Sequence, residues 1–239
     1  MMSGFTFFRG LRSWWREGVA RYGLRRAARK FFAETWDFLR DSTPGRRRQR
    51  FGDIEFDLDH RVNTTSAGVP LRTRLRGLVS SPYQPTEPAL FHEIMQALKL
   101  NWAEFTFVDL GSGKGRTLLM AADYPFGRIV GVELLPELHA VALENIRKCA
   151  ARCEAICGDA RDFVFPPEPT VLYLFNPLPE PGLAKVIANL EHSLQAAPRA
   201  VYVAYHNPEH EHLLAQSAAW KKIAATASFV VYESVATGN

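Results

Sequence analysis

No apolar run in this chain approaches the roughly 20 residues that a membrane-spanning helix needs, so the bulk is expected to be soluble. Cysteine is equally scarce: three residues in 239, Cys149, Cys153 and Cys157, all in one short stretch. An odd number without a cleavable secretory pattern excludes a disulfide scaffold and leads to the expectation of reduced thiols in a cytoplasmic protein. The three straddle a helix end and a strand, and their spacing does not suit an iron–sulfur cluster. His206, His210 and His212 offer an i, i+4 pair, but Pro208 interrupts the register; no metal is expected. Acidic residues are sparse only at the start, where residues 1–50 carry Glu17, Glu34, Asp37 and Asp41 against thirteen Arg and Lys, a balance of +9. Since the whole chain is +4, the remainder sums to −5 and is mildly acidic.

What is present is enough for one substantial core, at 47% hydrophobic residues. The most informative stretch is residues 105–116, where the apolar run Phe105-Thr106-Phe107-Val108 ends in Asp109 and passes into Gly111-Ser112-Gly113-Lys114-Gly115. A helix opens at Thr117. A buried strand, a glycine-rich turn and a helix N-terminus together make a nucleotide-type pocket, because glycines let main-chain groups approach a ligand closely. A phosphate-binding loop needs Ser or Thr after its lysine, whereas Lys114 is followed by Gly115. The dinucleotide fingerprint is G-x-G-x-x-G; the spacing here is G-x-G-x-G.

Around this motif the chain divides into a basic amphipathic helical arm and linker at 1–50, a cap and lead-in helix at 51–104, and a core at 105–239. In the arm, Phe8, Leu11, Trp15, Val19 and Tyr22 recur at helical spacing among arginines. Three readings fit: a helix packed on its own domain, a helix on an anionic membrane surface, or an organelle-targeting segment. Arg46-Arg47-Arg48-Gln49-Arg50 reads as a solvated linker or an RNA contact. Alternation over residues 51–59 predicts a short strand or extended arm. Thr86 is placed as the N-cap of a helix running to about Leu100, with Pro88 in its first turn.

Beyond the motif, strand and helix patterns alternate. Strands are predicted at 128–133, 155–157, 170–175 and 200–205, with helices from Pro136 to about Ala150, Gly182 to Ala196 and Glu209 to Ala218. This alternation gives a doubly wound α/β sheet. Residues 220–225 and 229–235 are joined by too short a link for a helix, so the sheet should finish in an antiparallel hairpin. Asp109, Glu133, Asp159 and Asn176-Pro177 then fall at carboxyl ends of successive strands, where an open α/β sheet places its ligand.

With these residues the chain from about Tyr83 to Val235 resembles the class I S-adenosylmethionine-dependent methyltransferases. The resemblance implies a seven-stranded Rossmann-like sheet with its last strand antiparallel, and S-adenosyl-L-methionine as cofactor. It further implies that Gly111, Gly113 and Gly115 pass the methionine part, that Asp109 organises its amino group, and that Glu133 binds both ribose hydroxyls. Asp159, with the Ala160 backbone, would contact the adenine amine. A carboxylate can accept two hydroxyl donors at once, and acids tolerate a cationic ligand.

Asn176-Pro177-Leu178-Pro179 resembles the Asn-Pro-Pro-aromatic motif of amino-directed methyltransferases, with Leu178 and Pro179 as departures. The catalytic expectation therefore falls on Asn176 and Pro177, with any stacking platform left to Tyr173, Phe175 or Tyr205. His206 and Tyr83 are the titratable groups of interest, neither assigned as base. Tyr83-Gln84-Pro85-Thr86 with the 109–113 motif is loosely similar to protein-lysine methyltransferases. The acceptor expected is a protein amine or small molecule; the alternatives are RNA, a nicotinamide-dependent oxidoreductase, or a non-catalytic sensor of the cofactor.

Overall fold

The computed structural model describes residues 53–65 and 84–235. The basic arm, the 46–50 run and Tyr83 lie outside them. The described elements are α1 (Asp53–His60), α2 (Pro88–Gln96), β1 (Thr106–Leu110), α3 (Arg116–Ala121), β2 (Arg128–Glu133), α4 (Pro136–Lys148), β3 (Glu154–Cys157), β4 (Thr170–Leu174), α5 (Glu180–Ala196), β5 (Val201–His206), α6 (His212–Ala215), β6 (Trp220–Ala225) and β7 (Phe229–Ser234). Single 3-10 turns occur at Trp102–Glu104 and Ala160–Asp162.

The seven strands form one sheet in the order β3-β2-β1-β4-β5-β7-β6. β1, β2, β3, β4 and β5 are parallel, and β7 inserts antiparallel between β5 and β6. The order reverses at β1, so the crevice at its carboxyl end is the topological switch point where such sheets bind ligands. Every residue of β1 and β4 is buried, which is why both read as unbroken apolar runs rather than as alternations.

Alternate residues of these strands feed two cores. Val108, Leu110, Leu172 and Leu174 face α5 through Leu183, Val186, Ile187 and Leu190. Phe107, Val171 and Tyr173 face α2 and α3 through Phe91, Ile94, Leu118 and Met120. Truncating one of these fully buried side chains to alanine removes about 2–5 kcal/mol.

Four local expectations are corrected. Residues 53–60 are helical rather than extended. The helix stacks Phe56 on His60 one turn later and turns Asp57 toward the backbone of Thr64 and Thr65, while Arg116, distant in sequence, lies over Phe56 and pairs with Asp57; these contacts outweigh a period-two pattern. Thr86 does not cap α2; Glu87 is the N-cap without a side-chain bond, and the Thr86 hydroxyl pairs with Tyr173 instead. The lead-in helix stops at Gln96, short of Lys99, whose φ of 47° is left-handed. The helix expected over 209–218 shrinks to His212–Ala215.

Candidate active site

The glycine turn is fastened to β2. The N–H groups of Gly111 and Ser112 both donate to the Val132 carbonyl, at 2.8 and 3.0 Å. Gly111, Gly113 and Gly115 have φ of 88°, 54° and 83°, so all three lie in the region that side chains avoid. At Gly111 the constraint is also spatial: a Cβ there would lie 2.8 Å from Cβ of Pro177. The cofactor turn and the Asn176-Pro177 turn are thus packed directly against each other. A glycine the sequence reading passed over matters too. A Cβ at Gly131 would come within 2.6 Å of Leu118 and 2.7 Å of the Ser112 hydroxyl, so its absence lets α3 and the turn settle on β2.

Two buried carboxylates flank this turn. Glu133 accepts the N–H of Gly113 on one oxygen and that of Leu135 on the other, each at 2.8 Å. Burial raises its pKa, and the N–H groups of Leu135, Gly113 and Leu134 oppose the rise. Asp109, 3% exposed, accepts the Thr117 hydroxyl. Burial pushes its pKa up to about 7, against the lowering effect of Thr117 and with a contribution from the Glu133 charge. Both acids carry charge at a cost that a cationic ligand relieves.

Asp159 is disposed differently. Its carboxylate holds the Arg161 guanidinium, with Nε at 2.9 Å from both oxygens, and accepts the Arg161 N–H. The Arg161 hydrogen bonds keep its pKa below the ordinary carboxylate value. Ala160, buried, begins the following turn. An adenine amine would therefore share Asp159 with Arg161.

The basic residues of the motif, which invite an anion-binding interpretation, point elsewhere. Lys114 Nζ donates to Asn63 Oδ1 at 2.8 Å and to the Thr65 carbonyl at 2.9 Å. Arg116, 1% exposed, donates from Nε to the Thr64 hydroxyl at 2.6 Å, pairs with Asp57 at 3.3 Å and lies over the Phe56 ring. Asn145 joins the two layers by donating to the carbonyls of Asn63 and Lys114, both at 3.0 Å. Residues 53–65 thus form a strap that grips the outer side of the glycine turn. The sequence offered no periodic signal for these contacts. Unassigned polar residues at 57, 63 and 64 opposite an unexplained Lys and Arg were the available hint.

On the β4–β5 side, Asn176 is 4% exposed with a left-handed φ of 42°. Its Nδ2 donates to the Asn207 carbonyl at 2.7 Å and its Oδ1 accepts the Tyr205 hydroxyl at 2.8 Å. Tyr205 also accepts the His210 N–H, and burial pushes its pKa up to about 12. Of the three candidate platforms, Tyr173 and Tyr205 are buried in the cores. Phe175 is half-buried and stacks on His206, with centroids 3.8 Å apart. The histidine trio does not converge: His212 bonds Glu180 at 2.9 Å, and among the described residues no His, Cys, Asp and Glu cluster is arranged to hold a metal ion.

This site fits S-adenosylmethionine. Gly111 and Gly115 let the turn close against Pro177 and Ala142 with its backbone in the left-handed region, and Asp109 offers a desolvated carboxylate for an ammonium group. Each Glu133 oxygen, having accepted one N–H, keeps a lone pair for a ribose hydroxyl. The cofactor's contribution is a methyl group on a sulfonium, already activated for transfer.

The sheet order and the glycine turn are those of the class I S-adenosylmethionine-dependent methyltransferases. In agreement, residues 107–197 match the family described as "Methyltransferase domain". The nicotinamide and non-catalytic alternatives fall with that result. No curated protein matches the chain by sequence. Among solved structures it is similar to an RNA methyltransferase from Salinibacter ruber in complex with S-adenosyl-L-homocysteine, at 19% identity over 65% of this chain and 95% of that one, with a TM-score of 0.45. It is also similar to the ribosomal protein L11 methylase from Lactobacillus delbrueckii subsp. bulgaricus (17% identity, 71% and 80% covered, TM-score 0.45). A dimethyladenosine transferase from Plasmodium falciparum is a third (12%, 64% and 62%, TM-score 0.47). Among the described residues no helix is long and apolar enough to cross a membrane.

Proposed function

We propose that the enzyme methylates a nitrogen, with a protein amine or a small-molecule amine as acceptor, and that Asn176 and Pro177 form the acceptor side of the site. The observation that carries this reading is the setting of Asn176. Its amide is oriented at both ends, by Tyr205 and by the Asn207 carbonyl, and its turn packs through Pro177 on Gly111. An amide fixed in this way keeps a second lone pair on Oδ1 for an incoming N–H, without reorganisation at the moment of reaction. Methyl transfer is an in-line displacement, for which alignment supplies on the order of 7–11 kcal/mol. Asp109, Gly111, Gly113, Gly115, Glu133 and Asp159 with Ala160 are proposed as the cofactor contacts in the roles already given, and residues 105–239 as the catalytic unit.

The test is to incubate the enzyme and methyl-labelled S-adenosylmethionine with lysate from cells lacking the gene, then separate protein, RNA, lipid and small molecules. Counts recovered as methylated amines in protein or small molecules are expected. Counts confined to RNA, or to methyl ethers and esters, would overturn the assignment.

A further inference from the structure

One polar cluster at the carboxyl end of the sheet is not among the groups proposed to hold the cofactor. Tyr173 is 1% exposed, yet its hydroxyl is 3.0 Å from His206 Nδ1 and 2.8 Å from the Thr86 hydroxyl. These three groups come from β4, the last residue of β5 and the loop entering α2, and form one hydrogen-bonded chain across the buried face. Resting on the nitrogen-methylation reading, we propose that His206 faces the acceptor and takes the proton released when the nitrogen is methylated, with Thr86 and Tyr173 as positioning residues that fix its tautomer.

Position supports this from two directions. Tyr173 is the register partner of Asp109 on β1, so the chain runs beside the proposed ammonium site. The other face of the imidazole stacks on Phe175, the residue before the Asn176-Pro177 turn that touches Gly111. The ring therefore packs against the carboxyl end of β4, beside the residue that leads into the acceptor turn and one strand away from β1. Nδ1 is occupied by Tyr173; Nε2 has no partner among the described residues and is not sealed from solvent, unlike the buried Nδ1 of His139.

The direction of the chain decides the chemistry. If Nδ1–H donates to the Tyr173 oxygen and the Tyr173 hydroxyl donates to Thr86, Nε2 carries a bare lone pair. Burial holds the imidazole neutral, with a pKa lowered to about 4, and pushes the Tyr173 phenol well above its ordinary value, so neither is ionised at neutral pH. The acceptor nitrogen bonds to the methyl carbon as the carbon–sulfur bond breaks toward sulfur. The nitrogen becomes cationic and gives its N–H proton to Nε2. The imidazolium, stabilised at Nδ1 by the Tyr173 oxygen, then releases that proton to water. So weak a base takes a proton only from a comparably acidic cation, of the kind an arylamine or heteroaryl amine forms on methylation, and the acceptor is an amine of that kind.

Two measurements test this on the full chain. Long-range 1H–15N spectra of uniformly labelled enzyme, with His206 identified by its loss in His206→Asn, should show a protonated Nδ1 and a bare Nε2 at neutral pH. That preference should be lost in Tyr173→Phe. The opposite tautomer, or a charged ring, overturns the proposal. In the labelled-lysate assay, His206→Asn should lose about a hundredfold or more of the transfer rate, within the range usual for general acid–base catalysis, while calorimetry shows unchanged S-adenosylmethionine binding. Undiminished transfer by His206→Asn overturns it. If that variant does not fold, Tyr173→Phe, which removes a single oxygen, carries the same kinetic test. Failure of wild-type enzyme to methylate any amine would instead sink the nitrogen reading, a result distinguishable from the tautomer measurement.

Discussion

The two halves of the crevice are built on opposite principles. At the ends of β1 and β2, Asp109 and Glu133 are buried with part of their hydrogen-bonding capacity unused, and burial raises the pKa of both. At the ends of β4 and β5 the polar groups are bonded mainly to one another: Tyr205 to Asn176 to the Asn207 backbone, and Thr86 to Tyr173 to His206. The first half holds two carboxylates whose charged forms burial disfavours, which suits the cationic ligand proposed for it. The second is a frame whose polar groups satisfy one another, which suits the acceptor side proposed for it.

Breaking the first half should have the larger effect. Glu133→Ala removes two hydrogen bonds to a charged group, each worth about 1.5–3 kcal/mol, and should weaken S-adenosylmethionine binding by about a hundredfold or more in calorimetry. It also releases the Gly113 and Leu135 N–H groups. Retained affinity would refute the ribose assignment.

The Asp109 carboxyl gives a pH signature of intermediate size. Its pKa rises from 3.8 to about 7 in the folded protein, so the free enzyme is unpenalised below about pH 4 and loses stability as pH climbs toward 7, after which the loss is constant. A bound ammonium group favours the ionised carboxylate, so binding expels the proton. Cofactor affinity should therefore rise with pH by at most about tenfold per unit and level off near pH 7. Titrations across this range test it, and Asp109→Asn should flatten the slope.

Perturbing the second half should leave cofactor binding alone. Tyr205→Phe deletes one hydrogen bond to Asn176, worth about 1 kcal/mol, and should slow methyl transfer by about fivefold with unchanged S-adenosylmethionine affinity. A drop in affinity of the same size would show that the halves are not separable.

The same contrast explains what could be read from the sequence. Parallel strands buried on both faces are continuous apolar runs, so β1, β2, β4 and β5 and the acids ending the first two stood out. The motif and its cofactor followed from contacts local in sequence. The frame did not, because its bonds join residues far apart: Thr86 to Tyr173, Asn176 to Tyr205, Arg116 to Asp57. Thr86 looked like a cap because Ser and Thr before a helix usually are one, but the buried phenol of Tyr173 offered its hydroxyl another partner. Residues 53–60 looked extended because Phe56 and Leu58 alternate with acids; Phe56 lies beneath Arg116, while Leu58 is left 72% exposed.

The strap has a consequence for the order in which the enzyme is made. Asp57 and Arg116 are separated by 59 positions, so at ribosomal rates of about 5–20 residues per second the strap waits several seconds for the residue it will grip. An eight-residue helix is not stable by itself in water, and among the described residues the partners of α1 and the strap lie on the glycine turn, α3 and α4, all of which emerge later. The cofactor turn is thus secured from behind by an element synthesised before it and folded after it.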